Sequence, residues 1–248
     1  MHMSGGAALA RHEVVAGLRS RWNIIAPGLF SGSLALITMV YGFRNYLQGM
    51  AYESTFATGW VAYAMVMAGI SASITATVDL SLDRVRYLLS LPLTPSMIVV
   101  SKMCGAAATA FVVSLATLAL GNPLVLHLSS AEALVALVAL IFQSLSVVGI
   151  MCTLSHLVPD ITKLGLIGSI ASGALQYLSS VYFPVTVFPA WMRPVIYANP
   201  LTHSVNLIRS LVVGAPAGLE LVYLGVSAAV CVGLGVWSLT RSLIRRIS

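Results

Sequence analysis

Long stretches without a charge set the hydrophobic pattern of this 248-residue chain. No Asp, Glu, Lys or Arg lies between Arg21 and Arg44, Glu53 and Asp79, Lys102 and Glu132, Glu132 and Asp160, Lys163 and Arg193, or Glu220 and Arg241. Each interval offers the ~20 apolar residues that a helix needs to cross the hydrocarbon of a bilayer. The pattern predicts six spans, at 23–43, 56–78, 98–121, 132–154, 164–183 and 219–240. The expected fold class is therefore all-α: a polytopic membrane protein with six transmembrane helices. The first apolar stretch is too long for the core of a signal peptide, and no small-residue cleavage site follows it promptly. It is read as a retained span.

The stretch 184–218 is apolar enough to suggest a seventh span. Pro184, Pro189, Pro194 and Pro200 interrupt it, and it carries Arg193 and Arg209. Prolines at that density cannot sustain one helix, because each removes a backbone donor and clashes with the preceding turn. A pair of short re-entrant or interfacial helices between spans five and six fits better. With six spans both termini share one side. That side holds ten basic residues (Arg11, Arg19, Arg21, Arg84, Arg86, Lys102, Lys163, Arg241, Arg245, Arg246) against three on the other (Arg44, Arg193, Arg209). The excess of Lys and Arg marks the cytoplasmic face, so both termini are expected inside. Segments between spans reach only about 35 residues, below the size at which domains usually fold alone. Residues 1–248 are read as a single membrane domain without an attached soluble module.

Composition sharpens the class. Hydrophobic residues make up 58% of the chain and charged residues 8%, where a soluble domain carries about 25% charged. Mean hydropathy is +0.95. So few charges cannot cover a water-exposed globule, which excludes a cytosolic enzyme, a disordered protein and a nucleic-acid-binding module. Cys104, Cys152 and Cys231 are odd in number and sit inside apolar runs, as buried thiols do.

Two polar segments stand out. Residues 7–22 predict an N-terminal amphipathic interface helix, with Ala10, Val14, Leu18 and Trp22 in a stripe and His12, Glu13, Arg19 and Ser20 away from it. Such a helix lies along the headgroups of membrane lipid, with arginines reaching outward. Residues 79–97 are the most charged stretch, holding Asp79, Asp83, Arg84 and Arg86. Acids early and bases late suit a helix dipole, Leu82, Val85 and Leu89 form an apolar face, and Pro92 and Pro95 end the segment. A short charged cytoplasmic helix with one apolar stripe suits docking of a soluble partner, and an ordinary solvated loop would look the same.

Within the spans, Gly165, Ser169 and Gly173 recur four apart in the fifth, and Gly225, Ala229 and Gly233 in the sixth. Small residues at this spacing let helix backbones approach closely, which predicts helix packing. No ionisable side chain sits mid-span, so proton- or ion-coupled transport lacks its usual group. The two lysines lie outside any G-x-x-x-x-G-K-[ST] pattern, no H-E-x-x-H spacing occurs among the histidines, and G-x-S-x-G is absent. No catalytic, cofactor-binding or metal-binding residue is expected, and energy for work against a gradient has to come from another subunit.

Tyr182-Phe183-Pro184 through Phe188-Pro189-Ala190-Trp191, then Tyr197-Ala198-Asn199-Pro200-Leu201-Thr202 and Arg209, resembles the external motif of the membrane subunit of type-2 ABC exporters. Leu91-Pro92-Leu93-Thr94-Pro95-Ser96 with Lys102 is similar to the same family's stretch after span two. The resemblance implies a permease without its own nucleotide site, working as two copies with two copies of a separate ATPase subunit that binds ATP and Mg. It implies a coupling helix at Leu82, Asp83, Arg84, Val85 and Arg86, and a route between the copies lined by spans two and five, with Thr75, Gln176 and Ser179 as lining candidates. It also implies a multi-pass protein of a prokaryotic plasma (inner) membrane and no nucleic-acid partner. Only Trp60, Tyr63, Tyr177 and Tyr182 offer aromatic stacking along that route, so a drug-like or lipid-like amphipath is expected ahead of a polysaccharide or lipid-linked glycan. A channel or membrane-embedded enzyme is the remaining alternative. A channel asks for a repeated polar ring, and mid-span positions offer only Ser, Thr and Gln.

Overall fold

The computed structural model describes residues 9–15, 22–43, 52–81, 93–158 and 161–247, and every regular element among them is helical. The first helix, α1, covers 9–15. The long helices are α2 (Trp22–Phe43), α3 (Tyr52–Ser81), α4 (Pro95–Gly121), α5 (Ser130–Leu157) and α6 (Ile161–Tyr177). Two short helices follow, α7 (Arg193–Tyr197) and α8 (Pro200–Val213), before α9 (Gly218–Ile247).

The boundaries follow local chemistry. Pro95 opens α4, where its missing N–H costs nothing. Ser129 and Glu132 form a reciprocal capping box at the start of α5. The α4–α5 turn is closed by Asn122, whose Oδ1 accepts from Leu128 N at 2.7 Å. Gly214, at φ +70°, ends α8 in the left-handed conformation that glycine adopts without strain.

Among the described residues, four helices are long and apolar enough to cross a membrane, at Ser54–Leu80, Pro95–Leu126, Ser130–Leu157 and Gly218–Arg245. They fall on the expected second, third, fourth and sixth spans. Helix α2 falls on the first. Helix α6 falls on the fifth but has 17 residues and ends at Tyr177, short of the expected 183. The physical reason lies 22 residues downstream: Asn199 Nδ2 donates to Leu175 O at 2.9 Å and Leu178 O at 2.8 Å, satisfying carbonyls at the end of α6.

Helix α3 is central, meeting α2, α4, α5, α6 and α8, while α5 and α9 form the most extensive pair. One buried cluster gathers Met65, Leu140, Leu201, Val205 and Leu224. A second joins Ala76, Leu80, Ile98, Met103, Leu239 and Leu243, with Leu9 of α1 packed against it. Val222, Val226, Val230 and Leu234 make an exposed apolar stripe along α9, the face a lipid-bathed helix presents.

Candidate functional site

Helices α3 and α6 pack with Gly168 facing Ile70 and Ile74. A Cβ built on Gly168 would lie 2.8 Å from Ile74 Cδ1, so glycine there permits the contact. Built on Gly165 or Gly173, a Cβ meets nothing within 4 Å. The result is an open cleft of about 330 Å³. Its apolar wall is Met67, Ile70 and Ile74, and its polar groups are Ser71, Ser169, Ser172 and Gln176. Ser172 Oγ lies 2.8 Å from Met67 Sδ and 3.4 Å from the Tyr63 hydroxyl, tying the two walls together. Gln176 Nε2 donates to the Tyr182 hydroxyl.

Of the three lining candidates, Gln176 lines the cleft. Thr75 turns its hydroxyl back to Ser71 O at 3.0 Å. Ser179 is buried in the turn after α6, donating to Gln176 O at 2.7 Å. The structure also places Gly165, Ser169 and Gly173 on the cleft. Gly225 has only Phe142 nearby, 3.9 Å from a built Cβ, Gly233 has nothing within 4 Å, and Ala229 is exposed. Within the chain, the close backbone approaches occur elsewhere: Gly59 against Val181, Gly149 against Cys231 and Val232, and Gly235 against Gly149.

A row of aromatic rings continues from the cleft. Phe56 stacks on Trp60 at 5.7 Å, and Trp60 meets Tyr63 at 5.4 Å. Tyr182 joins from the far side, 6.3 Å from Phe56 and 5.9 Å from Tyr177. The signal in the chain was the i, i+4, i+7 spacing of Phe56, Trp60 and Tyr63, which puts three rings on one face of a helix. Phe56 went unremarked because ring proximity to Tyr182 is a tertiary fact.

The Phe-Pro to Arg motif forms the clamp over this end. Arg193 braces its own loop, donating to Phe188 O at 3.0 Å and Thr186 O at 3.1 Å. Asn199 caps two helices at once: its Oδ1 accepts from Leu201 N at 3.0 Å while its amide closes α6. Arg209 donates to Thr55 O at 2.9 Å, Val181 O at 3.1 Å and Thr58 Oγ1 at 3.2 Å. Burial pulls its pKa down to about 10, which leaves it charged at neutral pH. His203, singled out by no motif, joins α7, α8 and α9. It pairs with Glu220, stacks on Tyr223 at 3.6 Å and reaches Tyr197 O at 2.7 Å.

At the opposite end, Lys102 Nζ lies 3.0 Å from Glu13 Oε2 and 3.3 Å from Asp79 Oδ2. The expected polar face of the lead-in helix thus splits. His12 is exposed, whereas Glu13 turns inward to a cation on α4. Residues 16–21, with Leu18 of the expected stripe, lie outside the described residues, as do the coupling candidates Leu82, Asp83, Arg84, Val85 and Arg86. No group of three His, Cys, Asp or Glu that could hold a metal occurs among the described residues.

Several helices long and apolar enough to cross a membrane, packed around an open cleft with hydroxyls among apolar side chains, fit a multi-pass membrane protein. The family model for the ABC-2 type transporter matches residues 7–213, and the chain belongs to that family. It is similar to Nodulation protein J of Neorhizobium galegae, at 29% identity, the match covering 82% of this chain and 81% of that protein.

Proposed function

We propose that this chain is the transmembrane subunit of an ATP-driven ABC exporter in a prokaryotic plasma membrane. Two copies, each with six spans and both termini inside, enclose a pathway for an amphipathic drug-like or lipid-like substrate. Two copies of a separate ATPase subunit bind ATP and Mg and supply the energy. The observation that carries the reading is the α3–α6 cleft, open to the outside of the protomer and mixing Ser71, Ser169, Ser172 and Gln176 with Met67 and Ile70. An amphipath matches such a wall, because its polar part finds hydroxyls while its apolar part leaves water. The stripe of Gly225, Ala229 and Gly233 suits close approach of another helix from outside the chain.

In the proposed cycle, ATP draws the ATPase subunits together. Leu82 and Val85 act as apolar knobs and Asp83, Arg84 and Arg86 as charged contacts that carry the movement into α3. The short helices α7 and α8 act as re-entrant caps at the outer mouth. A gentle-detergent pull-down of the tagged protein from its native cells should bring a near-stoichiometric P-loop ATPase, identified by mass spectrometry. Reversing both arginines in R84E/R86E should cut the recovered ATPase at least tenfold at unchanged membrane abundance. A chain that comes down alone from several detergents sinks the exporter reading.

The aromatic row favours a second reading, export of a polysaccharide or lipid-linked glycan, since sugar faces stack on Trp and Tyr rings. One pair of variants separates the two. Gly173→Leu fills open space, so its melting temperature should match the wild type while ATP-driven accumulation of ethidium in inside-out vesicles drops at least tenfold. Trp60→Ala should leave ethidium accumulation intact if rings serve sugars alone. Equal loss in both variants places the rings on the amphipath route.

A further inference from the structure

Lys102 stands where three elements meet. Glu13 comes from α1, Asp79 from the last turn of α3, and Lys102 from the second turn of α4. The three side chains are 13%, 24% and 12% exposed, respectively, so the ion pairs are largely withdrawn from water. Attraction between such charges is stronger than at a surface, and stranding one of them is correspondingly costly. The contact is more than a chance meeting of side chains. One turn further along α4, a Cβ built on Gly105 would lie 3.1 Å from Glu13 O, so α1 rests directly on the α4 backbone. Leu9, one turn earlier in α1, packs into the cluster formed by α3, α4, α5 and α9.

The position of Asp79 gives this node direction. It lies three residues before Leu82, where the coupling segment begins. Any displacement of 82–86 therefore arrives first at Asp79. A single ammonium faces two carboxylates, and it is a point charge with three rotatable donors. It can loosen one carboxylate while holding the other, so the joint can slide without stranding the cation.

We propose that Lys102 is a positioning residue for energy coupling. It fastens the lead-in helix and the end of α3 to α4, so that movement of the coupling segment reaches the helix bundle through one shared cation. This inference rests on the exporter reading above. The pull-down tests that reading alone, since it asks only whether an ATPase accompanies the chain.

The test uses the purified complex with its ATPase and compares the nucleotide-free state with the vanadate-trapped state by hydrogen–deuterium exchange. In the wild type, trapping should change exchange in peptides from 82–92, from α1 and from the cleft-lining turns of α3. In Lys102→Met, the change should persist at 82–92 and fall at least fivefold in α1 and α3, with ATP hydrolysis within twofold of wild type. A merely structural lysine would not separate these readouts. The triple variant E13K/D79K/K102E reverses every charge, setting one carboxylate between two ammonium groups, and should restore the response in α1 and α3. An undiminished response in Lys102→Met overturns the proposal. If Lys102→Met fails to accumulate in the membrane, E13K/D79K/K102E decides: a wild-type response supports the node and a missing one overturns it.

Discussion

Gly149→Val is expected to break the largest helix contact of the protein. A Cβ built on Gly149 lies 2.4 Å from both the carbonyl carbon and oxygen of Cys231, and 2.8 Å from Val232 N. These are main-chain atoms of α9, with no torsion that moves them aside. The approach is mutual, because a Cβ on Gly235 would meet Gly149 O at 3.1 Å. Adding an isopropyl group must push α9 off α5 over several turns, and the packing there is dispersion between closely matched surfaces, which fades quickly with separation. The expected loss is about 3 kcal/mol, or roughly 6–12 °C in melting temperature for a chain of this size. Gly165→Val is the control. Its Cβ meets nothing within 4 Å, so the change should stay within about 0.5 kcal/mol. Thermal unfolding of the two purified variants, followed by size-exclusion fluorescence, checks both. Equal melting temperatures would mean that α9 is free to slide along α5, against the close packing described above.

That pair of glycines also marks how far the chain could be read in one dimension. Charge-free length is a local property, and four membrane-crossing helices stand where the intervals between charges put them. Helix starts at Pro95 and at Ser129 with Glu132 rest on neighbouring residues alone. The end of α6 is set from a distance, because the side chain that closes it belongs to Asn199, the N-cap of α8. Small-residue spacing has the same limit. It identifies faces that allow close approach, as at Gly165, Ser169 and Gly173, but not the surface that takes up the offer. Within the chain, close backbone contact falls instead at Gly59, Gly105, Gly149 and Gly235. The polar face of α1 pointed Glu13 toward water or headgroups, and its inward turn depends on Lys102, 89 positions away. The cleft combines both kinds of information. Its hydroxyls and Gln176 were visible as polar residues in apolar runs, whereas its emptiness depends on how α3 and α6 pack.

Arg209→Met is expected to free the turn that follows α6. The native guanidinium donates to three acceptors on two separate elements: Thr55 O and Thr58 Oγ1 on α3, and Val181 O in the turn after α6. Val181 O lies in a turn with no helical partner of its own, whereas Thr55 O, in the first turn of α3, also accepts from Thr58 Oγ1 at 2.9 Å. Methionine fills much of the volume, so the variant mainly removes charge and donors. It leaves the carbonyls of Thr55 and Val181 short of a charge-assisted hydrogen bond, with an expected cost of about 1–3 kcal/mol. The loss falls on one joint, because Gly59 lets Val181 press against α3 at that spot: a Cβ there would come within 2.1 Å of Val181 O. With the cation gone, nothing charged holds the turn against α3, and backbone amides of 178–182 should exchange at least tenfold faster, a factor equivalent to about 1.4 kcal/mol. Exchange around Gly149 and Cys231 should hardly change, since Arg209 bonds neither α5 nor α9. Arg209→Lys should recover only part of the protection, because one ammonium cannot present the planar fork that spans both elements. Unchanged exchange at 178–182 in Arg209→Met would mean that packing around Gly59 alone secures the turn.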